Sequence, residues 1–336
     1  MKLRLFILLF IFLSALGCRG TSVEPDSSVR SKVLFEPESA FPFIPDASRS
    51  VCALTGLDLE NKVASSCRPA AVLLKNLVSE AADAQLIFQL PSKAGPKYLC
   101  FWENLAGIPE LGPLAADESG YAAFASGFDA VYVYHDTLAS KLPTGDYFDA
   151  GEGPSSLFSS GSVLHGNALE AALEQAGIRT APLPEYQKPF TTFYPPEYSV
   201  ACSDEICVSA SVRQLDSSYA DFLYDPDTRQ YYRSDQPDIT FTNLLLLETD
   251  LTYSSDFQLK VDYMGGTGFY LTNGTVREIR WQTYENRIPF LALRDEHSNT
   301  LYLNAGPSYF YVLSVRRNDL PLRRRGFGTI IRGSIF

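Results

Sequence analysis

Six cysteines and three histidines carry most of the chemistry open to this sequence. Cys18 follows Ser14-Ala15-Leu16-Gly17, and small residues before a cysteine let a peptidase reach the bond once the thiol is diacylated; Ala15 stands where leucine is more usual. Further upstream, Lys2 and Arg4 form a positive region and residues 5–13 an apolar run, about half the ~20 residues that a membrane-spanning helix needs. The pattern is that of a cleavable export signal, and it predicts lipidation of Cys18, where each buried acyl methylene would contribute ~0.8 kcal/mol of attachment. The competing reading is an ordinary secretory signal in which Cys18 is incidental.

An exported chain meets oxidising conditions. Cys202 and Cys207 bracket Ser203-Asp204-Glu205-Ile206, like two strand ends joined by a polar turn, so a Cys202–Cys207 disulfide is the expected pairing. Cys52 and Cys67 flank a turn-rich segment and form the second candidate pair, which leaves Cys100 as the odd thiol. The alternative is that all of them are reduced and simply packed. His135, His165 and His297 do not stand at metal-ligand spacing from a cysteine or from one another, so neither a metal nor another cofactor is expected. Asp117, Glu118, His135, Asp136 and His165 offer a different chemistry, since paired carboxylates with a histidine suit general acid–base work if the fold converges them in one cleft. The plainer reading is that acids after a Gly-Pro turn are solvated and that His165 helps to cap a helix.

The elements that must position these residues are partly legible. Ala70 to Leu74 and residues 84–90, 98–102 and 128–134 are short apolar runs that predict buried strands, alternating with helical stretches. Asn167-Ala168-Leu169-Glu170 has capping-box spacing, Leu169, Ala172, Leu173 and Ala176 follow on one face, and Gly177 ends the predicted helix. After the proline-rich residues 182–196 the chain reads as β. Residues 222–232 form a hairpin around Asp225-Pro226-Asp227, and residues 268–271 pair with 276–281 around Asn273-Gly274. Residues 243–248, 258–263, 290–293 and 308–313 add further strands. The reading is an α+β protein: a signal peptide (1–17), a lipidated cysteine and flexible tether (18–50), an N-terminal mixed α/β domain (51–185), a C-terminal β-rich domain (186–317) and a basic tail (318–336).

With 39 acidic against 28 basic residues the net charge is -11, which disfavours nucleic acid as a partner. The expected partners are a membrane, reached through the lipid, and an envelope protein or glycan, with the chain on the exported side of a cell or outer membrane.

Taken in order, several landmarks resemble the YerB-like family of lipoproteins, whose function has not been assigned. Cys52-Ala-Leu-Thr-Gly-Leu57 is similar to its C-P-L-T-G-L, Arg68-Pro-Ala-Ala-Val72 to R-P-V-A-V, Ala84-Gln-Leu-Ile-Phe88 to A-D-I-V-Y and Phe128-Asp-Ala-Val-Tyr-Val133 to Y-D-A-I-Y-V. Tyr224-Asp-Pro-Asp-Thr228, Tyr232-Arg233, Asn243-Leu-Leu245, Gly268-Phe-Tyr-Leu-Thr-Asn-Gly274, Trp281 and Leu303-Asn-Ala-Gly306 continue the series. The resemblance implies a layered β-β-α sandwich. It also exposes departures. After Gly112-Pro113 the family carries V-R-S-A-R, two guanidiniums able to hold an anion, whereas here Leu114-Ala115-Ala116-Asp117-Glu118 follows. An acid usual after the A-D-I-V-Y strand is replaced by Gln89, and a Gly-Gly-Ser by Tyr134-His135-Asp136. These losses favour a non-enzymatic binding or scaffolding role at the envelope. The alternative is a hydrolase or transferase acting on an envelope polymer through the His/carboxylate cleft.

Overall fold

Runs such as Ala70 to Leu74 and Leu244 to Leu247 have no polar face, so a strand built from them must be covered on both sides. The structure, a computed structural model, describes residues 51–59, 68–92, 94–117, 121–135, 147–149, 158–159, 163–187, 189–213, 219–253, 259–261, 263–284, 290–315 and 331–332. In chain order the strands are β1 (Ala70–Leu74), β2 (Leu86–Leu90), β3 (Lys97–Trp102), β4 (Glu110–Leu111), β5 (Val131–Tyr134), β6 (Tyr147–Asp149), β7 (Phe158–Ser159), β8 (Val163–His165), β9 (Thr192–Phe193) and β10 (Ser209–Arg213). They continue as β11 (Tyr219–Asp225), β12 (Gln230–Arg233), β13 (Gln236–Phe241), β14 (Asn243–Tyr253), β15 (Leu259–Val261), β16 (Gly265–Thr272), β17 (Thr275–Thr283), β18 (Leu291–Asp295), β19 (Tyr302–Leu303), β20 (Ser308–Val315) and β21 (Ile331–Arg332). The α-helices among the described residues are α1 (Tyr121–Gly127) and α2 (Gly166–Gln175).

One mixed sheet runs β18-β17-β16-β14-β20-β2-β3-β1-β5-β6, with β15 beside β14. Its centre joins distant parts of the chain, because β20 pairs in parallel with β14 on one side and with β2 on the other. A second sheet, β13-β12-β11-β10-β21, packs on one face, where Val72, Ile87, Leu246 and Tyr309 meet its Phe222, Tyr231 and Phe241 together with Leu169 and Leu173 of α2. On the other face Leu73, Phe88, Leu245 and Phe310 meet Phe124 of α1, Phe193 of β9 and the loop residues Phe190 and Phe290. Phe88 stacks on Phe310 at 4.4 Å between ring centroids, with Phe124 at 5.1 Å.

The expected balanced α+β sandwich is therefore corrected to a mostly β protein built on one large mixed sheet. The apolar runs of the first half do not make a helix-covered sheet of their own. They enter the same sheet as the later strands, and a second sheet and phenylalanine-rich loops supply most of the cover that helices were expected to give. Local readings fare better. Thr272 faces Thr275 across a two-residue turn in which Asn273 and Gly274 have φ of 49° and 69°, the left-handed pair that a type I′ hairpin requires. Helix α2 starts earlier than the capping box predicts, with His165 at the N-cap and no side-chain capping bond. Gly166 opens it, with its backbone so close to the Ile108 carbonyl that an added Cβ would sit 2.0 Å from its oxygen. Gly177, at φ 70°, ends the helix as expected.

Buried polar joints lock the layers. Asn304, 2% exposed, donates from its amide to the Val200 carbonyl (2.8 Å) and Thr272 Oγ1 (2.9 Å), and accepts from the Val200 amide (2.9 Å). Asn243 donates to the Asn304 carbonyl and to Ser308 Oγ, and accepts from the Tyr270 hydroxyl at 2.8 Å. Asp129, at φ 53°, holds a second joint, in which its carboxylate accepts from both terminal nitrogens of Arg179 and from the Leu183 amide and lies 3.3 Å from Arg68 Nε.

The Cys202–Cys207 disulfide is corrected to two buried thiols. Their side chains are turned to different partners: the Cys202 thiol donates to the Tyr270 carbonyl and the Cys207 thiol to that of Ser209. Cys100 is likewise a buried thiol. Cys52 is a buried thiol hydrogen-bonded to Glu103, and burial with the Glu103 charge pushes it up to about 12; Cys67, its expected partner, lies outside the described residues.

Truncating Asn304 to Ala strands the Val200 amide and carbonyl in the interior, and is expected to cost about 3 kcal/mol in urea unfolding. Burial holds the Glu103 carboxyl above the usual carboxylate range. The stability linked to its proton is thus complete below the unfolded-state value of ~4.3 and lost as pH rises through the higher folded-state value. Glu103→Gln should remove that loss, so urea melts across acid to neutral pH should show the variant gaining on the parent as pH rises; parallel profiles would refute the assignment.

Candidate functional site

Strands β1, β5 and β6 run parallel to one another, and the crevice beyond the carboxyl ends of such strands is where open α/β sheets place their ligands. The sequence candidates after Gly112-Pro113 fall here. Leu114 bridges Leu74 at the end of β1, the Ala115 amide donates to the Leu73 carbonyl and the Lys75 amide to that of Pro113 (both 2.9 Å). The Ala115 carbonyl in turn accepts from the His135 amide at 3.0 Å, directly after β5. The segment thus bridges the ends of two parallel strands, with Leu114 and Ala115 buried on opposite faces. At position 115, where the sequence resemblance implies an arginine, a buried alanine stands.

Asp117 turns towards β5. Its Oδ1 accepts a 2.6 Å hydrogen bond from the hydroxyl of Tyr132, whose ring is stacked on that of Tyr134 at 5.1 Å. Burial and the neighbouring carboxylate hold the Tyr132 phenol well above its ordinary value, so it stays a neutral donor. The Tyr121 hydroxyl of α1 donates to the Pro91 carbonyl at 2.7 Å. Of the cleft candidates, Asp117 and His135 are brought to the same strand ends. His165 is placed on β8 opposite Glu110, Nδ1 to Oε1 3.8 Å, with both side chains partly exposed. Glu118 and Asp136 lie outside the described residues. Among the described residues no group of three or more His, Cys, Asp or Glu is placed to hold a metal ion, and no helix is long and apolar enough to cross a membrane.

A second polar centre was missed in the sequence. Arg233 of β12 is 4% exposed and lies between the two sheets. Its Nε and Nη2 donate to both oxygens of Asp235 (2.9 and 2.7 Å), and its Nη1 to Gln89 Oε1, Tyr98 Oη and Tyr309 Oη at 3.0–3.2 Å. The Tyr309 hydroxyl also donates to Gln89 Oε1 at 2.6 Å. Hydrogen bonds from Arg233 hold Asp235 below the usual carboxylate range. Asp235, two residues further on in the turn to β13, supplies the countercharge, and the bonds from Arg233 to Gln89, Tyr98 and Tyr309 join the second sheet to the large one. The signal for it is the alternation in β12, which puts Tyr231 and Arg233 on the buried face.

No family model and no curated protein matches this sequence. Among solved structures, the chain is similar to the crystal structure of the YerB protein from Bacillus subtilis, with a TM-score of 0.66 and 17% identity over 78% of this chain and 96% of that one. What the two share is the course of the chain through its sheets, and the protein described here has a YerB-like fold.

Proposed function

We propose that this protein is a lipoprotein, anchored at the cell envelope through Cys18, whose body binds or scaffolds an envelope protein or glycan and does not turn over a substrate. The observation that carries this reading is the hydrogen bond from Tyr132 to Asp117. At the ends of the parallel strands this carboxylate is engaged by a phenol that holds its own proton, and a buried alanine stands where the sequence resemblance implies an anion-gripping arginine. Export, lipidation and a body closed by internal polar joints suit presentation of a surface.

Two measurements test the reading. Cys18→Ser should release the protein from membranes into the soluble fraction; unchanged membrane fractionation would sink the anchor. Capture from detergent-solubilised envelopes with the lipidated protein as bait should recover one specific protein or glycan, and recovery of nothing above the untagged control would remove the binding role.

A further inference from the structure

The second sheet and α2 cover only part of one face of the large sheet. Beyond them, the outer face of β16, β17 and β18 is exposed at Thr267, Glu278, Arg280, Gln282 and Arg294. Within it Arg280 stands directly opposite Arg294 across the antiparallel β17–β18 pair, and Thr267 stands opposite Arg280 on the other side. Side chains so paired leave the backbone about 5 Å apart, and like charges at that spacing cost stability. The chain has ample acid to neutralise them, with 39 acidic residues against 28 basic. Yet Glu248 accepts from the Thr267 hydroxyl at 2.6 Å, and the hydrogen bond made by the Arg294 guanidinium runs to the Ser298 carbonyl at 2.9 Å. No carboxylate among the described residues forms an ion pair with either arginine.

We propose that this open face is a docking surface for a polyol polymer linked through phosphodiesters, with one phosphate gripped between Arg280 and Arg294. Two adjacent guanidiniums present forked donors that match a tetrahedral oxyanion, and its charge removes the repulsion between them. Glu278 and Glu248 border the row, so the positive track is narrow: it suits a single polymer strand and opposes a continuous anionic bilayer. The repulsion of an acidic protein acts at long range and is screened beyond about 8 Å at physiological salt, which leaves contact to the two arginines. The proposal rests on the binding role above and names its surface and ligand chemistry.

The test is fluorescence anisotropy of labelled poly(glycerol phosphate) with the detergent-solubilised full chain, alongside sedimentation with phosphatidylglycerol vesicles. The wild type should bind the polymer, more weakly as salt rises. Arg280→Gln and Arg294→Gln should each weaken binding at least tenfold, while Arg229→Gln, which removes the same charge from an exposed turn, should change it less than threefold. Arg280→Glu should abolish binding and raise Tm, because it pairs with Arg294 across the strands; a purely structural Arg280 would make that variant less stable. Failure of the wild type to bind, equal losses at Arg229 and Arg280, a lowered Tm for Arg280→Glu, or a preference for vesicles would each overturn the proposal. If envelopes yield the same specific protein partner with wild type and Arg280→Glu, the binding role stands and this surface is refuted separately.

Discussion

A sheet whose central strands are apolar on both faces cannot exist without two covers, and this constraint organises the rest of the molecule. Leu244 to Leu247 are fully buried, two against each face, and Phe88 and Ile87 divide in the same way on β2. Burying a leucine or phenylalanine is worth roughly 1.5–3 kcal/mol, so the sheet's stability depends on layers that it recruits from far along the chain. The second sheet, α2 and the phenylalanine-bearing loops are those layers. Their own polar ends are what Asn304, Asp129 and Arg233 satisfy.

The sequence landmarks gain a physical meaning from this arrangement. Arg68 and Asp129 come from two different motif strings and meet in one buried cluster. Asn243, Tyr270 and Asn304 come from three, and share a network in which each hydrogen bond answers another. Thr55 of the first string accepts from the amide of Gly306 in the last, where a side chain would collide with Thr242. Residues spaced through the chain thus mark joints between layers. They track the architecture, which is why they point to a YerB-like fold and are silent about a ligand.

Short-range features were legible for the same reason that long-range ones were not. The Asn273-Gly274 hairpin and the Gly177 helix stop need only backbone preferences of one or two residues, and both stand as read. The bounds of β1 were readable because all five of its residues are apolar. A doubly buried run, however, does not say which sheet it joins, and so the N-terminal strands suggested a separate α/β layer. Arg233 was hidden by composition, since an arginine on the inner face of a strand becomes tolerable only when Gln89 and two tyrosines reach it from the facing sheet and Asp235 turns back on it from the next turn. Similarly, the spacing of Cys202 and Cys207 suits a bridge until Thr275 and Tyr270 are seen to turn the first thiol inward.

The position of β20 between β14 and β2 sets an order of assembly. As a chain is made from its N-terminus, β2 pairs early with its neighbour β3, but its other edge, and one edge of β14, stay open until residues 308–315 arrive. A large fraction of the polypeptide must therefore be held with two unfinished strand edges, each a template for wrong pairing, before the last long strand inserts and closes the sheet. Such a topology folds slowly, because the decisive contacts join residues more than two hundred positions apart. Truncation near the C-terminus would remove the keystone of the sheet, and the cell must keep the earlier strands apart until it is in place.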